Sequence, residues 1–488
     1  MIVPPKSVPP RPQQPPKIKR SSRTKTTRQI YQKNKPALTL KAVRNKVQEL
    51  LDSDQLLLMK VFNDATIKAT LAEFADDNIK RRDRIYTPQI TLSLFVQQVL
   101  SKDAGCKQSV TLLNKLRKAK QLSEVSTNTM SYCEARAKLP LKFIESLTWQ
   151  TADLATSRVP EDWSWFGHRV FLVDGFVVSA PDTPENQDKY PQPTSQKVGL
   201  GFPQIRACAA ISLSTGVVTD LKYGPVLGKK TGEQTIFRKM FAKFQPGDII
   251  VADSNFECYR DMATLYQQGA YMVCDINGSR DSPFTGRCKM IEETTKTLAR
   301  PEFNKDRFTL EEWEQLPKTL EVRVIRYRVK GRKQELTIVT TLLDTELYPA
   351  EEVAKLYKHR WECELDIRSI KAVMGMTWLS CHSPAMLERE LMTYILAYNL
   401  IRVAMCDAAK IGNVKPRDLS FKNAKDSWLQ LGQDGTELND YAWLLWSIAT
   451  GKLRKRPGRN EPRKIKRRSS KYEKMKVPRD QEKAELFP

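Results

Sequence analysis

The stretch from Leu356 to Gly375, LYKHRWECELDIRSIKAVMG, constrains this chain more than any other, because its residues order themselves only on a helix. At roughly 100° per residue, Tyr357, Arg360, Glu364 and Lys371 fall within an arc of roughly 60°, a polar stripe about four turns long. Leu356, Cys363, Ile367, Ile370 and Met374 form a neighbouring apolar stripe, as expected of a helix laid on a core. A carboxylate flanked on its own stripe by cations and a hydroxyl suits an anionic ligand held beside a metal ion. The plainer reading is a solvated face with intrahelical ion pairs.

Charge narrows the partner. The chain has 488 residues and a net charge of +25, very unevenly spread. Residues 1–45 carry twelve Lys and Arg and no acid, and residues 452–479 carry fourteen against Glu461 and Glu473. Two basic arms on a nearly neutral body point to a polyanion. Nucleic acid fits best, since counterion release lets such arms bind phosphate backbones without sequence preference. An interfacial helix would alternate apolar and basic residues, and neither arm does.

Other classes drop out. The nine cysteines include no C-x-x-C pair and there are three histidines, which argues against zinc and for reduced thiols in a cytoplasmic protein. There is no apolar h-region at the N-terminus. The longest apolar run, Leu391–Met405, contains Asn399 and Arg402 and is too short to span a bilayer, so it reads as a core helix with no membrane role.

Along the chain, residues 1–37 are a Pro-rich basic arm expected to be disordered. Residues 38–160 carry helical periodicity, with stretches expected around 107–120 and 126–147, and suit an all-α DNA-binding module. At His168 the pattern turns to strands: HRVFLVDGFVVS, then IRACAAISLS and GVVTDLKYG joined at Thr215–Gly216. A helix from about Thr231, the strand DIIVAD, another helix and the strand AYMVCDIN complete a mixed α/β sheet over 161–277. Residues 278–345 read as a β-rich insertion, residues 346–450 as a helical second part with runs at 384–411 and about 425–450, and residues 451–488 as a basic tail.

Three acids stand out by context. Asp174 interrupts an apolar strand, Asp253 ends another, and Glu364 lies on the later helix. Were the first and fourth strands neighbours, both aspartates would share an edge on which that helix could pack. Three carboxylates on one site suit two Mg²⁺, which take oxygen ligands and leave positions for phosphate oxygens. Plainer roles exist for each: a bulge or turn at Asp174–Gly175, a helix cap at Asp253–Ser254, and an ion pair of Glu364 with Arg360 or Lys371. No G-x-x-x-x-G-K-[ST] loop or Ser-His-Asp set competes.

The spacing Tyr357, two residues, Arg360, three, Glu364, six, Lys371 resembles the signature of DDE-type bacterial transposases of the insertion sequence 4 family. So do NTMSYCEARAKLP (128–140), VDGF (173–176), GFPQIR (201–206), GKKTGEQTIFRKM (228–240), PGDIIVAD (246–253) and YPAEEVAKLYKHRW (348–361). The resemblance implies a ribonuclease H-like core in which Asp174, Asp253 and Glu364 hold two Mg²⁺, for which Mn²⁺ can substitute. It implies that Arg360 and Lys371 hold phosphates of the transposon end and that Tyr357 positions its terminal nucleotide. Trp361 and Trp313 are the candidates to stack a flipped base, with core packing the plainer role of each. Double-stranded DNA is the implied partner, with a homodimer in the synaptic complex and cut-and-paste excision through hairpins. One departure stands: Ser254 follows the second aspartate where the family often has a basic residue, which bears on the hairpin step. Two alternatives are a non-catalytic DNA-binding protein derived from a transposase and a nuclease acting on RNA or branched DNA.

Overall fold

The computed structural model describes residues 38–52, 64–74, 85–101, 103, 105–157, 159–276, 288–329, 335–431, 438–453, 477–478, 481 and 484. The N-terminal arm, and all but a few residues of the C-terminal tail, lie outside these.

Among the described residues, helical periodicity in the first third becomes six helices: α1 (Leu40–Asp52), α2 (Asp64–Glu73), α3 (Pro88–Leu100), α4 (Cys106–Ala119), α5 (Met130–Ala137) and α6 (Leu141–Ser157). α3 starts where the sequence says it should, with Pro88 in the first turn and the Thr87 hydroxyl accepting from the Ile90 amide at 3.3 Å. The helix expected over 126–147 is instead two, because the residue before Pro140 is driven away from helical backbone and α6 restarts beyond it.

The strands form one eight-stranded sheet in the order β3-β2-β1-β4-β5-β8-β7-β6. β1 (Val170–Ser179), β2 (Gln204–Ser212) and β3 (Val218–Pro225) are an antiparallel meander, and Gly216 makes the β2–β3 turn at a φ of +76° that disfavours residues with a Cβ. β4 (Ile249–Val251) then joins β1 in parallel, and β5 (Tyr271–Asp275) joins β4 in parallel. β6 (Cys288–Ala299), β7 (Thr319–Val329) and β8 (Glu335–Thr340), the strands of the expected insertion, continue this sheet, since β8 pairs antiparallel with β5.

Short helices decorate the connections: α7 (Pro184–Lys189), α8 (Glu233–Arg238), α9 (Tyr259–Gln267) and α10 (Leu310–Glu314). α8 is shorter than the sequence suggests, because the chain tightens into a 3₁₀ turn at Phe241–Lys243. The signature stretch is α11 (Ala350–Lys358) and α12 (Arg360–Arg368), followed by a π-helical turn at Ser369–Val373. Then come α13 (Pro384–Gly412), α14 (Phe421–Leu431) and α15 (Leu438–Thr450), so the run expected near 425–450 is two helices.

Each face of the sheet has its own core. Leu172, Phe176 and Val178 with Ala207 and Ala209 face α11, α12 and α13. Phe171 and Val173 with Cys208 and Ala210 face α8 and α9. α13 is the core helix foreseen in the sequence, buried almost continuously from Glu390 to Ala409. Its Asn399 finds a full set of partners: the side-chain amide donates to the carbonyls of Val218 (2.9 Å) and Thr148 (3.4 Å), and its oxygen accepts from the Val218 amide (2.8 Å). Among the described residues, no helix is long and apolar enough to cross a membrane.

Candidate acidic site beside β1, β4 and β5

Register brings the two aspartates together. In the parallel β1–β4 pair Leu172 lies beside Val251, so Asp174 and Asp253, each two residues on, stand side by side and share the face packed under α12. Asp174 is no bulge, for the β1–β2 register runs unbroken past it to Ala209. Asp253 is no helix cap either: its Oδ1 accepts from the Asn255 amide at 2.9 Å, and α9 begins only at Tyr259. Glu364 reaches the same face from above on α12, its Oε1 accepting from Arg360 Nη2 at 2.9 Å.

Electrostatics report how close these groups are. Burial, and then the neighbouring Asp253 charge, push the Asp174 carboxyl up to about 7; Glu364 adds to the rise, while the Gly175 amide and Arg360 oppose it. A half-buried carboxylate pressed by two others is a donor set of hard oxygens with a deficit of positive charge, which suits a divalent cation. Among the described residues, however, no three acidic, cysteine or histidine side chains converge within reach of one ion. Glu364 is engaged with Arg360, and Asp174 with the amide of Gly175 at 2.8 Å.

The polar stripe predicted on one straight helix is bent. α11 and α12 are interrupted at His359, whose ψ of −11° opens the turn and whose ring bonds Glu362 at 2.7 Å. Beyond α12 the Met374 amide reaches back five residues to the Ser369 carbonyl (3.0 Å), the widened turn common near functional sites. Lys371 rides on that turn, half-buried, with its amine pushed below the ordinary lysine range by burial. Arg360 is buried and paired with Glu364. Tyr357 is also buried, its hydroxyl pushed well up by burial and then by the charges of Asp275 and Asp253. Trp361 is partly buried on α12. Trp313 is committed within the insertion: its indole N–H donates to the Pro301 carbonyl (2.8 Å), and the Arg300 guanidinium lies 3.7 Å over its ring.

Asp275 is the residue that sequence reading passed over. Val273 lies beside Val251, so Asp275 is in register with Asp253 and Asp174 at the end of the next strand, and it is 2% exposed. Its signal was the one that nominated Asp253, an apolar strand ending on an acid.

A buried ion network holds α12 over the strands. Asp366 is paired with Arg402 of α13 and, at 2.9 Å, with Arg417, which also meets Glu362 at 2.9 Å. Arg417 donates besides to the carbonyls of Leu213 (2.5 Å) and Ser212 (2.9 Å), tying α12 to the β2–β3 turn. Arg402 donates to the Tyr398 hydroxyl at 2.8 Å.

Residues 165–400 match the family of the transposase DDE domain. Among curated proteins, the chain is 25% identical over 350 residues to the transposase InsG for insertion sequence element IS4 of Escherichia coli (strain K12), covering 70% of this chain and 76% of that protein. Among solved structures, a cryo-EM structure of the piggyBac transposase synaptic complex with hairpin DNA aligns over 83% of this chain and 86% of its own, at 12% identity and a TM-score of 0.37. The domain match and the bacterial relative agree with the ordered motifs, and over residues 165–400 the chain resembles the DDE transposases of the insertion sequence 4 family.

Proposed function

We propose that the protein is a transposase that binds the terminal inverted repeats of its own element, hydrolyses the phosphodiester at their 3′ ends and joins the freed ends to target DNA. The observation that carries the reading is the β1–β4 register, which sets Asp174 beside Asp253 under the helix that bears Glu364. The order β3-β2-β1-β4-β5, an antiparallel meander followed by two parallel strands, supports a ribonuclease H-like core beneath it.

Asp174, Asp253 and Glu364 are the side chains that would hold two Mg²⁺, with Mn²⁺ as substitute. Bound there, the ions would lower the pKa of an attacking water and stabilise the leaving oxygen of a phosphodiester. The protein's own part is positional. The β1–β4 ladder brings two carboxylates side by side, and partial burial raises the pKa of Asp174. Arg360 supplies fixed positive charge on α12 beside Glu364 and, with Lys371, would bind strand phosphates as DNA approaches. Tyr357 packs beside the Asp253 end and would order the terminal nucleotide, with Trp361 next to it. The helical region of 38–160 and the basic arms supply end recognition and backbone affinity, and two protomers would hold the two ends in a synapse. Excision through hairpins belongs to the same reading, with Ser254 in place of a basic residue as its weakest point.

The test is strand cleavage on a labelled duplex carrying the element's end, with Mg²⁺, comparing wild type with Glu364→Ala. Junction cleavage that disappears in the variant while DNA binding persists is the expected result. Binding without cleavage by either protein, in Mg²⁺ or Mn²⁺ and with paired ends supplied, would establish the non-catalytic DNA-binding protein instead.

A further inference from the structure

Two of the sequence motifs, VDGF and GKKTGEQTIFRKM, contain residues to which the metal-binding acids give no role, and the fold brings them together. Gly175 follows Asp174 on β1 and therefore looks to the opposite face of the sheet, where α8 packs over β2 and β3. Its backbone is not in the left-handed region, so no turn demands a glycine here. Glu233, the first residue of α8, uses the room it leaves. A Cβ on Gly175 would stand 2.5 Å from Glu233 Cδ and 2.7 Å from its Oε1, closer than side chains can approach. The Glu233 carboxylate occupies the space that the missing Cβ leaves.

From there it grips the turn behind Asp253. Glu233 Oε2 accepts from Asn255 Nδ2 at 2.7 Å, and the next residue of α8, Gln234, donates its side-chain amide to the Asn255 carbonyl at 2.6 Å. Asn255, held at both ends, gives its backbone N–H to Asp253 Oδ1 at 2.9 Å. The Phe256 amide closes the turn on the Asp253 carbonyl at 3.1 Å, and its ring is fully buried against Phe237 of α8. One chain of contacts thus runs from Gly175 through Glu233 and Asn255 to the Asp253 carboxylate.

We infer that Glu233 is a positioning residue for Asp253, acting through Asn255 in the space that Gly175 leaves. It lies across the sheet from the face that carries the three acids, so it orients a ligand without being one. The inference rests on the metal-binding role proposed above for Asp253. Partners of this kind, once removed, typically cost about 10–100-fold in metal affinity.

The experiment is Mn²⁺ titration by calorimetry, paired with hydrogen exchange of the amides of residues 253–256, on the full chain. Glu233→Ala and Asn255→Ala should weaken Mn²⁺ binding about tenfold and speed exchange in the turn, with the thermal midpoint little changed. Glu233→Gln should restore both, because its amide oxygen still accepts from Asn255. Wild-type affinity and exchange in Glu233→Ala would overturn the link, and so would a Glu233→Gln as impaired as the alanine variant, which would make the charge the working part. Should Glu233→Ala unfold, Asn255→Ala at its exposed position decides the matter alone. A wild-type protein with no Mn²⁺ binding sensitive to Asp253→Asn would sink the proposed centre itself, a result distinct from loss of this link.

Discussion

The two halves of the acidic site are built on opposite principles. Asp174 stands within β1 and Asp253 two residues past the end of β4, just beyond a β1–β4 ladder that cannot slide by one residue without turning every side chain over. Glu364 stands on a helix interrupted at one end and widened into a π turn at the other, and α12 is kept in place by buried ion pairs to Arg402 and Arg417. The sheet half is rigid and strained by its own charge. The helix half is neutralised by its pairs and depends on them. A site assembled this way has one fixed jaw and one adjustable jaw.

The largest effect should come from removing either jaw's acid. Asp174→Asn and Glu364→Ala should each lower cleavage by ~10³-fold or more, since the ions at stake supply several kcal/mol of transition-state stabilisation. Filter binding of the end duplex should stay near wild type. Retained cleavage in either variant would show that the acid is not part of the centre.

Stability should separate the halves. Asp366→Ala leaves two buried guanidiniums without their shared carboxylate and should cost about 3–5 kcal/mol in denaturant unfolding. A loss below about 1 kcal/mol, the usual value of an exposed pair, would mean that the network does not hold the helix. Asp174→Asn should act in the opposite direction. Its carboxyl is raised by burial and by Asp253, so in EDTA the charged form penalises the fold above about pH 7, and the penalty disappears as the pH falls towards the ordinary aspartate range. The asparagine variant should therefore melt a few degrees higher than wild type at pH 8, with the gain vanishing near pH 4. An equal or lower melting point at pH 8 would place Asp174 outside the acidic cluster.

The same contrast explains what could be read from the residues. The aspartates were legible because an acid within or closing an apolar strand is rare and the order of elements allowed β1 and β4 to meet. Asp275 carried that signal too, yet only the pairing of β4 with β5 makes it count, and nothing local specifies that pairing. The apolar stripe of the signature helix was equally plain, and all five of its residues are buried. The interruption at His359 was not, since no proline or glycine marks it; it accompanies the ring's bond to Glu362. Arg402 looked like a flaw in an apolar helix until Asp366, far away in sequence, supplied its counter-charge. The continuation of the sheet through β8, β7 and β6 is a long-range register, invisible to periodicity.

Asn399 has a consequence for how this chain can be divided. Its one side chain bonds α6, in the helical first third, and β3, in the sheet, so α13 is shared property of both. Residues 165–400, the stretch that carries the family's likeness, leave α6 out and end inside α13. Expressed by itself, that stretch would lose α6 and bare one flank of its longest helix to water, so it should be less stable than a chain that keeps α6.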